Sequence, residues 1–292
     1  MKNLRTQIPF ILIFIFFSSG CHTLLDTDRN ILIQQADHLE KKGRYHWERR
    51  INPDHAKKAQ IFLSTANELK PEAGNLAILY SRSCYFNGLY IEQIPEKKDS
   101  LFLEGYHIAK GIVYRSKSFQ KGFNVVEDDS LIREFRGIEA LEKSFVPALY
   151  WWVANLGRYL INKPVVERLN YRDLLETIIH KILTLDPTFH YGGGYRLLGT
   201  VYIRLPGIEL SKSKQYFDQA ILTFPNYLGT KVLLAQYYYT KAEDREHFNR
   251  ELQEVLSADP SQIPEIMPEN LFEQGIAQQL LEQESSLFEL FF

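Results

Sequence analysis

Along most of the chain, apolar residues return every three or four positions and the residues between them are polar or charged. In "RDLLETIIHKILTLD", residues 172–186, Leu174, Leu175, Ile178, Ile179, Ile182 and Leu183 fall on one side of a helix. No stretch alternates with the period of a strand. The pattern predicts an all-α chain of about twelve helices, over 29–42, 53–70, 73–91, 99–116, 129–143, 146–162, 171–186, 192–204, 211–223, 227–241, 244–258 and 268–284. Two longer connections, "IEQIPEKKDS" and "SFQKGFNVVEDD", break the rhythm.

Particular residue types recur within this pattern. Tyr195, Leu198, Gly199 and Tyr202 stand in the aromatic-x-x-Leu-Gly-x-x-Tyr order of the first helix of a tetratricopeptide repeat. Ser213, Phe217, Ala220 and Pro225 supply the small, large, small and proline marks of its second helix, with a two-residue insertion at "RLPG". Small residues let paired helices approach, aromatic residues fill the groove, and proline stops the second helix. Looser versions appear at Ala59, Leu63, Ala66 and Pro71, at Ala77, Tyr80, Ser81 and Cys84, at Leu175, Ile179, Ile182 and Pro187, and at Leu252, Val255 and Pro260. Pro187 to Pro225 is 38 residues and Pro225 to Pro260 is 35. The expected architecture is a cryptic tetratricopeptide-repeat array, an α-solenoid coiling around a central groove.

The glycine run in "HYGGGYRLLGTVYIRLPG", residues 190–207, raises the question of a phosphate cradle. Such a cradle follows a buried strand, whereas the segment before this run has helical periodicity. No Gly-Lys-Ser/Thr follows, and Gly192, Gly193 and Gly194 fit no Gly-x-Gly-x-x-Gly frame. The glycines are read as the start of a helix.

The N-terminus has the layout of a secretion signal. Lys2 and Arg5 precede the apolar core "IPFILIFIFF", residues 8–17, which is too short to span a bilayer. "SSGC" then matches the small-small-Cys end of a bacterial lipobox, with Ser18 where leucine is usual. This predicts a signal peptide over 1–20, acylation at Cys21, a lipidated tether over 21–28 and a single helical domain over 29–292. Multiple acyl chains anchor stably at about 0.8 kcal/mol per buried methylene. The expected location is the periplasmic face of the envelope, on the inner or outer membrane. Cys84, the other cysteine, sits in an apolar pattern and reads as core.

Charge excludes one class of partner. Lys plus Arg is 34 and Asp plus Glu is 36, a balance without the basic footprint of nucleic-acid binding. Aromatic residues are abundant, with 17 Tyr, 19 Phe and 3 Trp, and the C-terminal "SSLFELFF" is apolar enough to be expected to pack. "SKSK", from Ser211, matches Ser-x-x-Lys without its companion motifs, and its serine reads as a helix N-cap. "DTDRN" imitates a calcium loop but lacks glycine at the sixth position and glutamate at the twelfth. "EDD", ending at Asp129, reads as a loop and helix start. The histidines form no ligand pattern. The expectation is a protein with no cofactor and no metal site, and not an enzyme.

Two segments mix aromatic and polar residues in a way ordinary core does not. "ALYWWVANLGRY", residues 148–159, places Trp151, Asn155 and Arg158 on one stripe next to Tyr150. Tyr195 with Arg196, and Tyr238 within Tyr237–Tyr239, repeat the mixture. Two readings stand: these residues line a concave pocket for a small organic ligand, or the rings fill grooves between repeats while the arginines face water.

The lipobox cysteine, "AKKAQIFLSTANELKPEAG", "ALYWWVANLGRY" and "YGGGYRLLGTVYIRLPG" followed by "SKQYFDQAILTFPNYLGTKVLLAQYYY" together resemble the T-component of periplasmic TRAP transporters. The resemblance implies an all-helical lipoprotein of cryptic repeats, a homotrimer with a pore through each protomer. It implies docking of the solute-binding P-component and help in delivering an organic acid or hydrophobic ligand to a membrane symporter. The competing reading is an envelope repeat lipoprotein that scaffolds protein assembly and handles no small molecule.

Overall fold

The computed structural model describes residues 10–125 and 129–289, with side chains from residue 29 to 288 outside that gap. Every regular element among them is helical: fifteen α-helices, two π-helical turns and three 3₁₀ turns. α1 spans Phe10–Trp47, α2 Pro53–Leu69, α3 Gly74–Phe86 and α4 Pro95–Arg115. α5 is Lys117–Phe123, α6 Ser130–Glu139, α7 Val146–Leu160, α8 Val165–Asn170, and α9 Arg172–Leu185. α10 is Phe189–Arg204, α11 Leu210–Thr223, α12 Leu228–Leu233, α13 Arg245–Ser257, α14 Met267–Glu282 and α15 Glu284–Glu289. The side chain of Cys21 lies outside those described, so the lipidation reading rests on sequence.

Both segments read as long connections contain helix. Pro95 occupies the first turn of α4, where its missing N–H costs nothing, so this helix starts inside "IEQIPEKKDS". The other holds α5, capped by Ser116, whose Oγ accepts from Phe119 N. α5 and α6 approach closely because Gly122 faces the backbone of Arg136 and Gly137 faces the Phe119 ring. Asp129 caps α6, accepting from Leu131 N at 2.8 Å. The N-cap of α11 is Glu209 and not Ser211, which is the exposed second residue of the helix.

The paired helices touch where the small residues fall. A methyl group on Gly199 of α10 would stand 2.9 Å from the Phe217 ring of α11, and Ser213 Oγ donates to Gly199 O at 2.7 Å. α3 and α4 use the same device with the roles exchanged. Ser81 Oγ donates to Gly105 O at 2.7 Å. Each bond satisfies a buried hydroxyl by a carbonyl that already serves its own helix.

The largest core surrounds α7 and draws on α4, α9 and α10, with Trp152 fully buried at its centre. A second core joins α11 to α14 through Phe217, Phe248, Leu252, Val255 and Ala277. Leu287 and Phe288 close over it, the latter 5.2 Å from the Phe248 ring, so this part of the apolar C-terminal segment packs as expected, while residues 290–292 lie outside those described. Cys84 is buried with Leu63, Leu76 and Tyr80, and burial pushes its thiol up and out of reactive range.

One contact joins distant parts of the chain. Glu269 of α14 is buried and accepts from Arg50, after α1, at 2.6 Å and from Arg82 of α3 at 3.0 Å. One turn on, Phe272 stacks on Tyr90 at 5.2 Å, and Tyr90 donates to Glu273 at 2.6 Å. Asn270 faces the other way and accepts from Leu228 N of α12. α14 is therefore wedged between the first hairpin and the last.

Candidate functional site

The glycine run begins with an abrupt reversal. His190, Tyr191 and Gly192 take left-handed φ values of 46°, 58° and 69°. Only the third is at ease there; for the other two the conformation costs roughly 1–2 kcal/mol each. Three interactions hold them. Arg196 donates to the carbonyls of His190 and Tyr191, both at 3.1 Å. The His190 ring lies 4.8 Å from Tyr150 and 4.9 Å from Trp151. Tyr191 stacks on Tyr227 at 5.6 Å. The next two glycines serve packing, since side chains there would press into Tyr150 and Leu183. The run is thus a strained helix start, pinned by an arginine from within the helix.

Beside it, a cleft of about 720 Å³, mouth included, opens between α7, α9 and α10. Most of that space belongs to the mouth and the gaps between wall atoms, and the enclosed part is narrow. Val153 and Ala154 of α7, Leu175 of α9, and Leu197 and Val201 of α10 make the walls largely apolar. Set into them are four arginines, Arg158, Arg168, Arg196 and Arg204, and the phenols of Tyr85 and Tyr150; none of the lining residues is acidic. Arg196, Thr200 and Arg204 recur every four residues, so one stripe of α10 supplies half the charge.

Each arginine is held differently. Arg196 is buried and fully engaged: besides its two carbonyls it donates to Tyr150 Oη at 3.1 Å and to Thr230 Oγ1 at 3.4 Å, and lies 3.9 Å over Tyr227. Arg158 donates Nε to Tyr85 Oη at 3.1 Å. Burial pulls its pKa down, but Tyr85, Tyr237 and Glu273 outweigh that and carry it above the usual value, so it stays cationic. Arg204 lies 4.2 Å over the Tyr237 ring, and its pKa is lowered by burial and by repulsion from Arg158 and Arg168. The Nε atoms of Arg168 and Arg204 are buried without a hydrogen-bond partner among the described residues.

The structure divides the residues that the sequence grouped. Tyr150, Arg158 and Arg196 line the cleft. Trp151 is buried behind it, between Tyr85 at 5.5 Å and His190. Asn155 is fully buried in the seam between helices, donating to Trp151 O at 2.9 Å and Ser81 Oγ at 3.1 Å, and does not line the cleft. Tyr195 is half-buried and outside it. Tyr238 packs on Tyr239 at 5.2 Å, while its neighbour Tyr237 meets Arg204. The cause is local: Leu234–Tyr239 forms a π-helical turn, which adds a residue per turn and shifts which tyrosine faces α10. Among the described residues, no group of three or more His, Cys, Asp or Glu is placed to hold a metal.

The fold and site define a class: an all-helical protein whose paired helices enclose an apolar cleft rich in arginine. The chain belongs to the TRAP transporter T-component family, whose model matches residues 99–288, from α4 to α15. Every cleft residue except Tyr85 falls within that match. None of the curated proteins matches the chain. Membership ties the protein to a TRAP transporter.

Proposed function

We propose that this protein is a periplasmic, lipid-anchored T-component that docks the solute-binding P-component and helps deliver a small organic ligand held in the arginine-lined cleft. The observation that carries the reading is the cleft itself, apolar along its walls and cationic, with Arg158 positioned by Tyr85. A guanidinium set among apolar side chains recognises a carboxylate or similar head while the walls cover an apolar body. Membership of the family supports the transporter role. The wedge of α14 between the first and last hairpins supports a tetratricopeptide-like array that closes around a central space. No step in this function requires bond chemistry, and the protein works as a binding module, without metal or cofactor, in a homotrimer.

The test is direct. Lipid-free protein purified gently and examined by native mass spectrometry should carry a small molecule, and Arg158→Ala should lose it while keeping its helical circular dichroism. A scaffold without ligand predicts bare protein in both cases. Cys21→Ala should abolish labelling by a fatty-acid analogue and release the protein from membranes; undiminished labelling contradicts the anchor.

A further inference from the structure

The charge balance of the cleft goes further than a carboxylate. Four guanidinium groups face one space with no acidic side chain lining it. None of the four forms an ion pair with a carboxylate among the described residues. A carboxylate that acts on both Arg158 and Arg196 is Glu273, outside the lining, whose Oε1 is already engaged by Tyr90 at 2.6 Å. Arg196 spends its donors on the left-handed turn and on Tyr150. Arg158, Arg168 and Arg204 are less fully used: Arg158 has a single hydrogen bond, through Nε to Tyr85, Arg204 donates to Ile161 O at a long 3.4 Å and interacts with Tyr237, and both Arg168 and Arg204 bury Nε atoms that have no partner among the described residues. Cations crowded together out of water repel one another unless an anion sits among them.

Resting on the ligand-binding reading above, we propose that the ligand is an amphiphilic dianion: a head carrying two negative charges, of the phosphate-monoester or geminal-dicarboxylate kind, on an apolar body. The head sits between Arg158, Arg168 and Arg204. The body runs along Val153, Leu197 and Val201. A monoanion offsets one of the three charges and leaves two; a dianion offsets two and has enough acceptor oxygens to take a hydrogen bond from all three, and arginine's planar fork suits both head types.

The experiment is calorimetric titration of the intact lipid-free protein with dodecanoate, dodecylmalonate and dodecyl phosphate at pH 8, below their micelle concentrations. Methyl phosphate and malonate serve as heads without a body. The expected result is that both dodecyl dianions bind at least tenfold tighter than dodecanoate and that the short dianions bind far more weakly than the dodecyl ones. Arg168→Gln and Arg204→Gln should each reduce the preference for dianion over monoanion at least fivefold, while dodecanoate affinity changes less and the melting temperature holds. If the glutamine variants fail to fold, the wild-type ranking still decides. Equal affinity for dodecanoate and the dianions overturns the dianion assignment and leaves the ligand-binding reading standing. Binding of none of them overturns both.

Discussion

The two sides of α7 use similar residues for opposite ends. Toward α3 and α4, Asn155 is fully buried, its amide donating to Trp151 O and to Ser81, and Gly105 is so close that a methyl group there would stand 2.6 Å from Asn155 Oδ1. Toward the cleft, a methyl group on Gly157 would meet nothing within 4 Å, and Arg158 reaches out from beside it. Both sides carry a glycine and a polar residue. On one the amide nitrogen is consumed by the fold, with only Asn155 Oδ1 left unpartnered against Gly105, and on the other a guanidinium opens onto the cleft. A buried polar residue is thus no sign of a site until its partners are counted.

The sharpest break in that comparison comes from a polar group that is wholly consumed. Glu269 accepts from both the buried Arg50 and the partly exposed Arg82, so Glu269→Ala leaves Arg50 buried without its carboxylate and should cost about 3–5 kcal/mol in chemical denaturation. A loss below about 1 kcal/mol would mean that α14 does not hold the two ends of the chain together. Next is the helix contact at Gly199, where a leucine would collide with Phe217. Overpacking of this kind costs about 1–3 kcal/mol, so Gly199→Leu should lower the melting temperature clearly. An unchanged melting curve would show that α10 and α11 are not paired this way.

Most of the fold was legible because it rests on periodicity. With the π-helical turns Asn87–Ile91 and Leu234–Tyr239 counted as continuations of α3 and α12, ten of the expected helices start and stop within four residues of α2 to α4, α6, α7, α9 and α11 to α14, and the helix expected from 192 begins where the left-handed turn of α10 ends. What escaped were short helices without a full apolar stripe: α5, α8 and α15. The site was legible in part for a geometric reason. At 3.6 residues per turn Trp151, Asn155 and Arg158 span an arc of about 60°, wide enough that one edge meets α3 while the other meets the cleft. Arg204 was within reach, since it repeats Arg196 at two turns on the same stripe. Arg168, on the six-residue α8, and Tyr85, from a helix distant in sequence, carry no local mark. Glu269 and Glu273 look in sequence like solvated charges of an amphipathic helix; only the fold buries them.

A smaller effect concerns pH. Burial, then Arg82, Arg196 and Arg50, hold the pKa of His190 well below its usual 6.5. The unfolded chain therefore takes up a proton below pH 6.5 that the folded chain refuses, and stability falls as pH drops through that window. By pH 5.5 the loss attributable to His190 is about 1 kcal/mol. His190→Asn, which tolerates the same left-handed φ, should flatten the dependence of melting temperature on pH between 7 and 5.5. Parallel curves for the two proteins would place the proton elsewhere.

The claim that matters most is that the open side of α7 faces a ligand. Gly157 allows that to be tested without touching an arginine, because there is room for a side chain where the ligand is proposed to lie. Wild type, Gly157→Ala and Gly157→Phe are titrated with dodecyl phosphate by calorimetry and melted side by side. The account predicts that wild type and Gly157→Ala bind alike, and that Gly157→Phe binds at least tenfold more weakly with its melting temperature intact. Undiminished binding by a folded Gly157→Phe, or no binding by wild type, would contradict it.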